Sequence, residues 1–214
     1  MKKNAFGLLA LMIVIILAAG PVKAETVGLA TGNLSTADAC GFGIGNIGGF
    51  LGLGDETTNF FGILSYGFSQ YTEGRVKLGF SDAEGTDLSL MFGADFKYEI
   101  WDYYDEMSKY PFDMAFGGMF EYIDYGPLTV LEFGGNLIGS IPYRFSNGKR
   151  IIPYARANLR VEKLSADGGG SDSDFGFGLN MGAKYEISED MGLYGEFQID
   201  GNLGFFGGIE VRVF

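Results

Sequence analysis

The C-terminal half of the chain alternates in character with a period of two residues. Between Thr129 and Phe145 the odd positions are Thr129, Leu131, Phe133, Gly135, Leu137, Gly139, Ile141, Tyr143 and Phe145, and the even positions include Glu132, Asn136, Ser140 and Arg144. The same alternation runs through four further stretches, at 151–162, 174–187, 193–200 and 203–213. There the polar face carries Arg156, Arg160, Glu162, Lys184, Glu186, Glu196, Glu210 and Arg212. A two-residue repeat belongs to a β-strand with one apolar and one polar face. The N-terminal half is noisier. Leu88, Leu90, Phe92, Ala94, Phe96, Tyr98 and Ile100 alternate with Asp95, Lys97 and Glu99, Val76 to Phe80 alternate with Arg75 and Lys77, and Phe112 to Tyr122 make an apolar face opposite Glu121. Segments near 40–54 and 59–71 are Gly-rich and apolar on both faces, and are expected to be strands as well. The count is ten strands, with eight as the alternative.

Turn chemistry checks the faces independently, because residues opposed in a hairpin share a side of the sheet. Phe145 and Ile151 are both apolar and both odd, so an odd number of residues must connect their strands. That predicts a three-residue loop with Gly148 in the left-handed conformation, not the two-residue turn that Asn147-Gly148 suggests by itself. Ser188 to Gly192 and Ile199 to Leu203 have the same parity. Pro142 and Pro153 flank the first of these turns, where a missing ladder hydrogen bond does least damage. Ser165 to Ser173 is a polar connection expected on the outer side, and Trp101 to Pro111 a long one expected on the periplasmic side.

Alternation alone leaves open which face is wet. The polar faces are rich in glycine, at 134, 176, 178, 182, 204 and 208, which suits a crowded interior, and after Thr129 Lys163 is almost the only charge on the apolar faces. A charge at the middle of a bilayer costs about 2 to 4 kcal/mol, which accounts for that absence if the apolar faces meet lipid. The chain holds 36 Gly, 20 Phe and 12 Tyr, and no apolar run after Gly20 is long enough to span as a helix. It can therefore meet lipid only as a closed barrel. Ahead of the strands, Lys2 and Lys3 precede an apolar run from Ala5 to Gly20, then Pro21 and Val22-Lys23-Ala24. This is the order of a secretory signal peptide. We expect cleavage after Ala24, a polar periplasmic tail over 25–39, and one barrel domain over 40–214. The expected fold is thus all-β, a closed antiparallel up-and-down transmembrane barrel.

Removal of 24 residues takes away three lysines and leaves 12 basic against 27 acidic residues, a formal charge of −15. Nucleic acid is a poor partner for such a chain. Cys40 is the only cysteine, so no internal disulfide can form. The chain has no histidine, which removes Ser-His and Asp-His devices. Gly43-Ile44-Gly45-Asn46-Ile47-Gly48 matches the dinucleotide fingerprint but lacks its following helix, and Asp167, Asp172 and Asp174 fit no calcium-loop spacing. No catalytic residue, cofactor or metal site is expected. Glu132, Arg144, Arg156, Arg160, Glu162, Lys184, Glu186, Glu196, Glu210 and Arg212 are expected to form either an interior ion-pair network or the lining of a narrow pore, the network being preferred. Arg75, Lys77, Lys97, Asp95, Glu99 and Glu121 extend the same face. Tyr98, Trp101, Tyr122, Tyr143, Phe145, Tyr185 and Phe214 lie near strand ends, as interfacial girdles do.

The chain ends Ile209-Glu210-Val211-Arg212-Val213-Phe214. This resembles the C-terminal assembly signal of bacterial outer-membrane barrels, with Phe214 the terminal aromatic. The positions alternating back from it hold Arg212 and Glu210, where such signals carry apolar residues. By pattern, the barrel segment resembles the small OmpA-type and OmpW-type outer-membrane barrels. That resemblance implies the outer membrane of a Gram-negative bacterium, export across the inner membrane, lipid contact, periplasmic chaperones and the barrel-assembly machinery as partners, and a monomer. The barrel enzymes of that membrane use histidine, so the implied role is non-enzymatic: structural, adhesive or concerned with envelope integrity, and carried by outer loops. A narrow passive channel for ions or small solutes is the first alternative, and a soluble exported barrel around an apolar ligand the second.

Overall fold

The computed structural model describes residues 29–54, 57–83, 85, 87–103, 111–166, 168–200 and 202–214. The expected signal peptide lies outside these. Eleven strands make one sheet: β1 Gly45–Gly54, β2 Thr57–Gly67, β3 Thr72–Ala83, β4 Ser89–Trp101, β5 Asp113–Asp124, β6 Leu128–Ser140, β7 Tyr143–Arg144, β8 Arg150–Ala166, β9 Ser171–Glu186, β10 Met191–Asp200 and β11 Asn202–Arg212. There is no helix among the described residues. Each strand pairs antiparallel with its sequence neighbour, except that β6 and β7 do not pair with each other, and β1 pairs with β11 from Asn46↔Arg212 to Gly54↔Gly204, which closes the barrel. Strand β7 continues the line of β6 past Ile141-Pro142, and both pair with β8, so the wall has ten staves. Pro142 lacks an N–H and interrupts the ladder there, while Ile141 N–H still reaches Pro153 O at 3.0 Å.

The hairpin connecting Phe145 to Lys149 has three loop residues, Ser146, Asn147 and Gly148. Tyr143 faces Ile151, Arg144 faces Arg150, and Gly148 has φ +85°. Phe145 N–H donates to Lys149 O at 2.9 Å and Gly148 N–H to Phe145 O at 3.1 Å. The parity argument from the sequence therefore holds, and the left-handed glycine is what closes an odd loop.

We call the end where β1 begins and β11 finishes proximal, and the opposite end distal. Every distal connection is short. The β8–β9 hairpin rises furthest, because β9 pairs with β10 only from Leu179 to Glu186 and with β8 as far as Ser171. The longest connection, 102–112, is proximal.

The faces fall as alternation requires. Leu51, Phe60, Leu64, Leu78, Leu90, Phe96, Phe116, Phe133, Leu137, Leu159, Phe197, Phe205 and Ile209 are exposed on the outer wall. Glu121, Glu132, Arg156, Arg160, Glu162 and Glu196 are buried inside it. A water-soluble protein rarely exposes contiguous apolar surface beyond a few hundred Å². This belt surrounds the whole wall, and strands of ten or more residues are long enough to cross a bilayer when tilted. At the proximal rim the belt ends in aromatic pairs: Tyr98 with Phe116, Trp101 with Phe112, Tyr143 with Phe145 and Tyr66 with Phe214, at centroid separations of 5.2 to 6.1 Å. The sequence alternative of a soluble barrel around an apolar ligand requires the reverse orientation and is excluded by it.

Inside, the first strands explain their own noisy pattern. Phe50 stacks on Phe61 at 5.8 Å, Phe50 meets Tyr194 edge-on, and Phe61 meets Phe206 edge-on. These rings belong to a buried cluster with Ile63, Met91, Ile123, Tyr125, Val130 and Tyr154. Strands β1 and β2 are apolar on both faces because one face meets the exterior and the other builds this interior cluster.

Candidate functional site

The lumen is filled. Residues Leu29 to Ala39 are almost all buried, and they run along the barrel axis from the distal end, where Leu29 O accepts from Gln198 Nε2 at 2.8 Å, to the proximal end, where Cys40 N–H donates to Glu73 Oε2 at 2.9 Å. The sequence reading of 25–39 as a periplasmic tail is corrected for its described part, from Leu29 onward. The physical reason is hydrogen-bond accounting. An irregular segment carries free backbone N–H and C=O groups, and the barrel's inward charges need partners in a space that excludes water.

The pairing is detailed. Glu121 accepts from Ala30 N–H at 3.0 Å and from the Thr31 hydroxyl. Glu196, which has no cation beside it among the described ion pairs, accepts from Asn33 N–H and Leu34 N–H at 2.6 Å each, from Tyr154 Oη at 2.7 Å and from Asn180 Nδ2 at 2.8 Å. Lys77 Nζ donates to Thr31 Oγ1 and Gly32 O, Arg75 to Leu34 O, and Lys97 to Ser35 Oγ, Thr36 O and Asp38 O. Ala37 N–H reaches Ser140 Oγ and Ala39 N–H reaches Glu99 Oε2. The segment's apolar side chains Ala30 and Leu34 pack into the aromatic cluster. Residues 29–40 therefore act as an internal plug. The only sequence signal for it is a string of small polar residues, which reads equally well as a solvated tail.

Around the plug run the ion pairs. Arg75 makes a two-point contact with Asp95, Nε to Oδ1 at 2.6 Å and Nη2 to Oδ2 at 2.7 Å, and Lys77 joins Asp95 at 3.1 Å. Lys97 lies 3.4 Å from Glu73. Distally, Arg160 is surrounded by Glu132 at 3.1 Å, Glu162 at 3.5 Å and Asp200 at 2.5 Å. Its guanidinium lies over Gly176, where an added Cβ would be 2.8 Å from Cζ, so the glycine makes the room this side chain occupies. Asp200, the last residue of the alternating stretch 193–200, completes this group.

The remaining expected residues divide by depth. Arg156 is buried but has no described ion pair, and its guanidinium contacts Asn33 Oδ1 and Met119 Sδ. Lys184 pairs with Glu210 at 2.9 Å and lies 5.3 Å from the Tyr194 ring centroid, while Glu186 pairs with Arg150, all near the proximal mouth. Arg212 is solvent-exposed and 3.8 Å from Asp190 at the rim. Arg144, expected on the interior, is exposed instead, because Pro142 carries β7 beyond the wall into the hairpin. A proximal vestibule of about 120 Å³, lined by Arg75, Lys97, Arg150, Lys184 and Glu210 among others, is the space left below the plug. Cys40 borders it, and burial, reinforced by the Glu73 carboxylate, pushes its thiol up to about 12.

A closed ten-stave antiparallel wall with an apolar exterior and a charged interior defines a transmembrane β-barrel, here with its lumen plugged by its own chain. No family model matches the sequence, and no curated protein matches it. Among the solved structures similar to it are membrane barrels. They include a de novo designed transmembrane β-barrel, with 17% identity over 80% of this chain and 97% of the other and a TM-score of 0.36. The N-terminal barrel domain of Pseudomonas aeruginosa OprF follows with 13% identity over 81% and 99% and a TM-score of 0.40, and KdgM porin with 11% identity over 79% and 99% and a TM-score of 0.41.

Proposed function

We propose that this protein is a non-enzymatic, monomeric outer-membrane barrel that does not conduct and serves a structural role in the cell envelope. The observation that carries this reading is the plug: Leu29 to Cys40 occupies the lumen and engages Glu73, Arg75, Lys77, Lys97, Glu99, Glu121 and Glu196 along its length. An open pore needs a continuous water path, and these contacts leave a vestibule rather than a channel. Short distal connections favour a scaffold over a loop-borne adhesive surface. The reading also takes the outer membrane as the location, reached through the leader, the periplasmic chaperones and the barrel-assembly machinery.

Planar-bilayer recording tests it. The intact protein is expected to be silent, and a variant lacking residues 29–39 to show discrete conductance through a lumen lined by the charges the plug releases. Steady single-channel currents from the intact protein would instead support the passive-channel reading and refute this one. Loss of the gene should raise envelope sensitivity to detergent, and an envelope unchanged by that loss would remove the structural role.

A further inference from the structure

The lumen carboxylates differ in what they face. Asp95, Glu73, Glu121, Glu132, Glu162, Asp200, Glu186 and Glu210 each lie within 4 Å of a lysine or arginine, and Glu196 accepts four hydrogen bonds. Glu99 and Asp113, side by side at the proximal ends of β4 and β5, have no cation among the described ion pairs. Glu99 is 4% exposed. Its Oε2 accepts from Ala39 N–H at 3.0 Å, while its Oε1 is buried without a hydrogen-bond partner. Asp113 is equally enclosed, with Oδ1 accepting from Tyr103 N–H at 2.6 Å and Oδ2 from Ser140 Oγ at 3.4 Å.

Asp102 stands beside them, and one carboxylate oxygen from each of Glu99, Asp102 and Asp113 lies within 4.8 Å of the others. Three oxygens bound to one calcium ion at about 2.3 to 2.6 Å are at most about 5 Å apart, so this spread fits calcium. Magnesium dehydrates reluctantly and usually keeps several waters, so an enclosed set of protein oxygens favours calcium over it. The donors are all oxygen and carry three formal negative charges, the set a hard divalent cation takes. Glu99 Oε1, buried without a hydrogen-bond partner on a carboxylate of this set, is costly to leave unsatisfied in the absence of a cation.

We propose that Glu99, Asp102 and Asp113 form a calcium site at the proximal mouth. Because the second oxygen of Glu99 holds Ala39 N–H, a cation there also fastens the end of the plug to β4 and β5.

Trp101, the only tryptophan of the chain, adjoins Asp102 and gives a direct readout. Terbium, an oxygen-seeking calcium substitute, is titrated into the purified full chain in detergent while the tryptophan is excited. The expected result is saturable sensitised emission that calcium displaces and equal magnesium does not, with affinity at least tenfold weaker in Glu99→Gln and Asp113→Asn. Asp102→Asn lies outside the strands, leaves the barrel wall intact, and should weaken binding by a similar factor. Calcium should also raise the temperature at which the intact protein loses its fast, unheated gel mobility, and should not do so in the variants. No saturable emission, or emission unchanged in Asp102→Asn and Glu99→Gln, would overturn the proposal, the latter by placing the ion elsewhere on an acidic protein.

Discussion

Arg160→Met offers the sharpest test of the charged interior. The arginine side chain is fully shielded, and Glu132, Glu162 and Asp200 lie 2.5 to 3.5 Å from it with side-chain exposures of 3% or less. At an effective dielectric of about 20, one such contact at 3 Å amounts to about 5 kcal/mol gross, most of it offset by desolvation and by repulsion among the acids. Methionine fills comparable volume but leaves three buried carboxylates with no cation. Breaking a buried pair in this way costs about 3 to 5 kcal/mol. Urea unfolding in detergent micelles, followed by tryptophan emission and by unheated gel mobility, should show a loss of that size. Glu162 directly opposes Glu132 across β6 and β8 and has the longest contact to Arg160, so Glu162→Gln should cost less than about 1 kcal/mol. Combining Arg160→Met with Glu132→Gln, Glu162→Gln and Asp200→Asn should recover most of the loss. An Arg160→Met protein within about 1 kcal/mol of the parent would refute the claim that this cluster is dry and mutually dependent.

Other expectations follow from the same geometry. Glu196→Gln replaces the charged acceptor of two plug N–H groups and should weaken the plug by about 1.5 to 3 kcal/mol, read as faster amide exchange confined to residues 29–40. Leu159→Lys, at the middle of β8 on the outer wall, should cost about 2 to 4 kcal/mol in lipid vesicles, whereas a water-facing site would tolerate it. Because burial raises the Cys40 thiol to about 12, little thiolate forms below that pH. Alkylation at mildly alkaline pH should therefore run on the order of a hundredfold or more slower in the folded protein than in the unfolded one, with the difference disappearing as pH approaches 12.

What the sequence determined by itself is the wall. A period of two fixes which residues share a face, and loop parity fixes how adjacent faces join, so Phe133, Leu159 and Phe197 outward and Glu132, Arg160 and Glu196 inward are legible without coordinates. The glycines of the polar face also announced a crowded lumen, as Gly176 beneath Arg160 illustrates. The occupant of that lumen was not legible. Thr31, Asn33, Ser35 and Thr36 have no periodicity, and their burial depends on Glu121, Lys77 and Glu196 arriving from strands 46 to 163 residues away. Nor could alternation distinguish Glu99 and Asp113, which have no cation among the described ion pairs, from Glu132, which has one, since the partner of an inward charge is set by stagger and depth across the barrel. Local pattern decides a strand's faces because each residue's direction depends only on its neighbours. Which charges meet across a closed lumen depends on how all ten staves and the plug come together, and only the tertiary structure decides that.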